Sequence, residues 1–196
     1  MTDPDHSDSM LFMLPNPFEP FPRIDTPRLV LRAPTPGDEE AMFAVASDPL
    51  VAKYLGRAPA TRESIRAKLG KILDGIRAGT AIFWVLTDRE SGAHAGSACL
   101  WNWDEAHFRA EVGYDLAPAR WGQGLVTEAM TAVLGCGWEQ MKLHSVEGHV
   151  HPENQGSIRV LEKLGFQKEA HFRENHFNGE GFEDTAVYSL LAPTRR

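Results

Sequence analysis

Apolar residues recur along this chain at two spacings, and the switches between them mark out its elements. Ile65, Leu69, Ile72 and Ile76 stand three or four positions apart among charged residues, which is one face of a helix. That helix is predicted over Thr61–Arg77, with Thr61 as its cap and Gly79 as its stop. Upstream, Leu29–Ala33 reads as a strand. Thr35 then caps a helix whose first turn holds Pro36, Asp38 and Glu39 and whose apolar face is Met42, Phe43, Val45 and Ala46.

Downstream the spacing shortens. Ala81–Thr87, Ala95–Trp103 and Phe108–Leu116 are dense in β-branched and aromatic residues and are joined by short turns, so they predict antiparallel neighbours. A helix from about Gly124 to Gln140, a strand at Ser145–Val150 and a helix at Gln155–Leu164 ended by Gly165 come next. Two closing strands, Phe166–Arg173 and Phe182–Leu190, flank the loop Asn175–Gly181. The order β-α-α-β-β-β-α-β-α-β-β predicts an α/β fold: a sheet of mixed direction with helices on both faces.

Residues 1–22 carry no such periodicity. They are rich in Pro and Asp and read as a flexible acidic tail before a domain over 23–196. Leu11, Phe12, Met13 and Leu14 form an apolar island that could dock on the domain or on a second subunit, so a homodimer is one expected partner.

Composition narrows the classes. A net charge of −7 argues against general nucleic-acid binding and adhesion to anionic membranes. The acidic start lacks a basic, then apolar, leader, and Cys99 and Cys136 form no CxxC pair; a reducing, cytoplasmic setting is the expectation.

The chemistry concentrates in AEVGYDLAPARWGQGLVTEAM, Ala110–Met130. A strand ends near Pro118, and Gly122, Gln123 and Gly124 lie where a helix begins. Free amides at a helix start, reached past glycines without side chains, make a socket for phosphate. A nucleotide-type cofactor is the reading this motif supports.

That stretch, together with HPENQGSIRVLEKLGF (His151–Phe166) and the opening TPRLVLRAPTPGDEEAMF (Thr26–Phe43), resembles the GNAT superfamily of acetyl-CoA-dependent N-acetyltransferases, in its RimJ/RimL-type branch. The resemblance spans roughly residues 25–191. It implies a mixed, mostly antiparallel sheet splayed into a V between the fourth and fifth strands, with pantetheine in the V along Val112–Leu116. Asp115 and Leu116 would pair with pantetheine through their backbone. Trp121, Gly122, Gln123, Gly124, Leu125, Val126 and Thr127 would hold the pyrophosphate, and Asn154 would bond the cofactor. The family loop is written Q/R-x-x-G-x-G/A; Trp121 stands at its first position and Val126 at its last, while Gly124 is retained. Many members place a tyrosine seven residues after the Asn, where this chain has Leu161.

The expected reaction is direct acetyl transfer from acetyl-CoA to a primary amine: a protein N-terminus, an amino acid or a small amine. Glu111 is the candidate base, acting through water; an exposed strand residue is its plainer reading. Ser157 is the candidate donor to the leaving thiolate, with helix capping as its plainer role. Tyr114, on the Val112 face, is a secondary candidate. His144, His149 and His151 cluster around one strand without a telling third-ligand spacing, so no metal is expected. Trp101 and Trp103, two apart, predict one shared strand face that packs in the core or, on a sharper reading, walls the acceptor site. A non-catalytic acyl-CoA-binding or sensing module is the alternative. The absence of GxGxxG and GxxxxGK[ST] disfavours a Rossmann enzyme and excludes a P-loop.

Overall fold

The computed structural model describes residues 16–179 and 181–193. Eight strands form one sheet in the order β1-β2-β3-β4-β5-β6-β8-β7. They are β1 (Ile24–Asp25), β2 (Leu29–Arg32), β3 (Ile82–Asp88), β4 (His94–Asp104), β5 (Arg109–Leu116), β6 (Ser145–Val150), β7 (Gln167–Phe177) and β8 (Phe182–Leu191). Every pairing is antiparallel except β5 with β6. Five α-helices accompany them: α1 (Glu39–Ala46), α2 (Pro49–Tyr54), α3 (Arg62–Ala78), α4 (Leu125–Glu139) and α5 (Gln155–Lys163).

Alternation along β3 shows how the layers assemble. Phe83 and Val85 pack with Met42, Ala46, Ile65 and Leu69 of α1 and α3. Ile82, Trp84 and Leu86 face the other way, into the larger core that holds Met130 and Val133 of α4 and Leu161 of α5. Burial on both faces explains why β3 reads as an unbroken apolar run. The long α3 starts as expected: Thr61 accepts a hydrogen bond from the Ser64 amide, and Gly79 takes the left-handed conformation.

Three features differ from the sequence reading. The first is α2, which the apolar spacing did not reveal. Its signal is local: Asp48 accepts from the Leu50 amide and Pro49 occupies the first turn. The second is the tail. Phe18 is 2% exposed and its ring lies 5.9 Å from that of Trp103. Asn16 donates to the Ile76 carbonyl. The packed part therefore begins by Asn16 and not at residue 23, because one large ring fills a gap at the edge of the core. The island Leu11–Leu14 lies outside the described residues. The third is the Trp101/Trp103 pair. The β4–β5 register shifts between Trp101 and Asp104, with Asn102 at φ 49°. An inserted residue turns the following side chain to the opposite face. Trp103 thus packs on the main core, whereas Trp101 is exposed.

Phe18→Ala should lower the unfolding free energy by about 3–5 kcal/mol, the usual range for truncating a buried aromatic. Urea denaturation followed by tryptophan fluorescence measures it; an unchanged midpoint would remove this segment from the core.

Candidate active site

The site begins where a sheet stops being a sheet. β5 and β6 pair over only three positions, Arg109–Glu111 against Ser145–Glu147, while β5 stays paired with β4 as far as Leu116. From Val112 onward the two strands part. A groove of about 510 Å³ occupies the region beyond the split. Its walls are the end of β5, the turn before α4, one face of α5 and the end of α2.

The turn before α4 is built by two left-handed glycines, Gly122 at φ 73° and Gly124 at φ 75°. Gly124 is the N-cap of α4 and supplies no side-chain cap. The first-turn amides therefore lack intrahelical acceptors, and among the described residues the N–H groups of residues 122–127 donate to no other protein group. A side chain added at Gly122 would point into open space, with nothing within 4 Å; its glycine serves conformation and leaves the amides reachable.

A polar brace holds this turn. Glu128 accepts from the Thr26 hydroxyl at 2.6 Å, the Arg28 amide at 2.8 Å and the Arg28 side chain at 2.7 Å. Arg28 also donates to the Gln123 carbonyl at 2.9 Å. Burial opposes ionisation of Glu128, but the bonds from Thr26 and Arg28 outweigh it and hold its carboxyl below the usual value.

Asp115, Leu116, Trp121, Gly122, Gly124, Leu125, Val126, Thr127, Asn154 and Ser157 all line the groove. Gln123 does not; its side chain donates back to the Ala119 carbonyl. Glu111 does not line it either. It sits at the split, opposite Trp101 on β4 and Glu147 on β6, and accepts from Asn102 at 2.7 Å. It faces the side of the sheet occupied by Trp101, away from Val112 and Tyr114.

Several lining residues have duties inside the protein. The Trp121 indole donates to the Leu116 carbonyl at 2.9 Å, so that carbonyl is already engaged at the place expected to meet pantetheine. Asp115 accepts from Ser97. Asn154 caps α5 through the Ser157 amide and donates to the Tyr54 carbonyl at 3.3 Å. Capping therefore belongs to Asn154 and not to Ser157. Burial pushes the Tyr114 phenol up to about 12, and its hydroxyl lies 3.4 Å from the Ser157 carbonyl. Two hydroxyl side chains thus sit together on the groove wall.

Tyr54 was not foreseen. Its ring meets Trp121 edge-on at 5.9 Å, so α2 reaches both walls of the groove. Gly56, just beyond it, is joined to the end of β7 by His176, whose Nε2 lies 3.1 Å from the Gly56 carbonyl. His149 lies 3.4 Å from Glu147 and His151 accepts from the Glu153 amide, so these rings serve separate neighbours. Burial raises Cys99 to about 12 and Cys136 to about 11; both thiols stay protonated at neutral pH, which suits direct transfer.

The family model for the acetyltransferase (GNAT) domain matches residues 28–167. The chain belongs to the GNAT family. An N-acetyltransferase of unspecified substrate from Bacillus subtilis, YoaA, is 32% identical over 88% of this chain and 98% of its own length. The Escherichia coli [ribosomal protein uS5]-alanine N-acetyltransferase is 27% identical over 65% of this chain and 66% of its own. This places the chain in the RimJ/RimL-type branch of the GNAT enzymes. A GNAT acetyltransferase structure from Bacillus anthracis superposes with a TM-score of 0.77 at 28% identity, covering 87% of this chain and 98% of that one. The splayed, mostly antiparallel sheet is therefore the GNAT fold. No helix among the described residues is long and apolar enough to cross a membrane.

The Glu128 brace makes a pH prediction. A carboxyl held below its usual 4.5 stabilises the fold above that value, and this contribution disappears as pH falls through the lower folded value. Glu128→Gln should lower the melting temperature at neutral pH and flatten its decline below pH 4.5. Parallel melting curves of the two proteins would refute this.

Proposed function

We propose that the groove binds acetyl-CoA and that the enzyme passes the acetyl group directly to a primary amine at the split between β5 and β6. The observation that carries this reading is the uncovered amide turn at Gly122–Gly124 opening onto that split. A diphosphate fits there: the donors are main-chain groups, the α4 dipole adds to them, and no side chain blocks Gly122.

The acetyl thioester supplies an activated acyl group. Transfer forms a C–N bond, breaks the C–S bond and releases one proton from the amine. Glu111, at the split on the face away from the groove, takes that proton through water. Ser157 and Tyr114 present hydroxyls on the groove side; Tyr114, held protonated, donates toward the sulfur as it gains charge. The groove and the split hold both reactants near each other, which contributes much of the acceleration.

The acceptor enters between the Gly56–Ala60 loop and the end of β7, which His176 brings together. The relative that acts on an alanine of a ribosomal protein favours a peptide N-terminus over a free amino acid.

Saturating acetyl-CoA should raise the melting temperature by several degrees, because it binds only the folded state. Thiol release measured with a panel of N-terminal peptides and small amines should identify the acceptor. Binding without turnover on any amine would leave a sensing module instead. With the acceptor in hand, Glu111→Gln should reduce kcat by about 10²-fold or more; unchanged turnover removes Glu111 from the mechanism.

A further inference from the structure

Three cations line the groove: Arg120, Arg159 and Lys163. Arg120 is held by Asp88 at 3.1 Å. Arg28, beside the glycine turn, is held by Glu128. Arg159 and Lys163 differ: among the described residues neither forms an ion pair or a side-chain hydrogen bond.

Their placement follows from the helix. Gln155, Gly156, Arg159, Val160 and Lys163 all line the groove, and that spacing is one face of α5. Arg159 and Lys163 stand one turn apart, about 7.5 and 13.5 Å beyond Asn154 along the axis. Lys163 lies in the last turn of α5, where the helix dipole by itself favours a cation. Arg159 is mid-helix and has no such reason. Like charges one turn apart repel, and Glu162, which lies between them in sequence, is not on the groove face and forms an ion pair with neither. In a chain of net charge −7, two unpaired cations aimed into the same groove form a second anion site, separate from the amide turn.

We propose that Arg159 and Lys163 bind the ribose 3′-phosphate of the cofactor, so that the enzyme distinguishes coenzyme A from its 3′-dephospho form. This rests on the cofactor reading above. The acyl end and the diphosphate are held by main chain, which reads shape. The phosphomonoester is a dianion, and a guanidinium with an ammonium one turn away matches it in charge and in donor number.

Isothermal titration of the full-length protein with coenzyme A and with 3′-dephospho-coenzyme A tests it. The unmodified protein should bind coenzyme A about ten- to a hundredfold more tightly, the range for hydrogen bonds to charged groups. The Arg159→Gln/Lys163→Gln double variant should bind both alike, at the affinity the unmodified protein shows for the dephospho form. Lys163→Glu should weaken coenzyme A binding further while leaving the dephospho form little changed. A thermal melt of each variant verifies folding. Equal affinities in the unmodified protein overturn the proposal, as does a preference that survives the double substitution. If the unmodified protein binds neither compound, the cofactor reading itself is wrong.

Discussion

The groove proposed as the cofactor site depends on a pairing that is broken off. β5 and β6 share only three register positions before they separate. A strand edge that leaves its partner exposes amides and carbonyls that must be satisfied by something else. Part of that demand is met internally, as when the Trp121 indole takes the Leu116 carbonyl. The remainder opens onto a groove whose floor is main chain and whose far wall is α5. Close approach of β4 to β5 holds the strand that lines the groove. At Gly96 an added side chain would lie 2.1 Å from the Asp115 carbonyl, so β4 and β5 are locked together just beside the groove.

In the proposed reaction the two faces of the sheet divide the chemistry. Tyr114 and Ser157 stand on the groove side with α4 and α5. Glu111, with Trp101 and Glu147 across from it in register, stands on the other. In the proposed transfer the amine attacks the thioester carbonyl carbon and the thiolate leaves, so a proton acceptor on one face and hydroxyl donors on the other serve the two ends of the reaction. The brace from Thr26 and Arg28 to Glu128 and the Gln123 carbonyl ties the β1–β2 turn to the first turn of α4 and the glycine turn before it. It connects stability to the site.

Most of the architecture was legible in the sequence because it rests on periodic burial. The α3 face and the doubly buried β3 each left a pattern that spacing could find. The glycine turn was legible because positive φ restricts residue choice. What escaped was set by single contacts. Helix α2 is too short to show a period, and its only trace is Asp48–Pro49. Phe18 sits in a stretch whose composition resembles a tail, yet one ring finds the Trp103 edge of the core. The two tryptophans two apart were expected on one face, and the inserted residue at Asn102 separates them; such a shift leaves no regular signature. Within the site, ten expected lining residues do line the groove, whereas Glu111 and Gln123 lie outside it. Strand alternation can give the face of a residue, but not where a neighbouring strand will diverge. Arg159 and Lys163 were present in the helical spacing from Gln155, but charged positions on a surface helix ordinarily mean solvent.

The one parallel pair in the sheet has a consequence for where the proposed anion site lies. Parallel neighbours cannot be joined by a hairpin; the chain must leave the top of β5, cross over through α4 and return to the bottom of β6. The crossover obliges α4 to start at the end of β5, on the same rim where the two strands draw apart. Topology alone thus delivers an electropositive helix tip to the open end of the cleft. Trp121 in the intervening turn and Val126 in the first turn of α4 leave this arrangement intact, since the exposed amides are set by the path of the backbone.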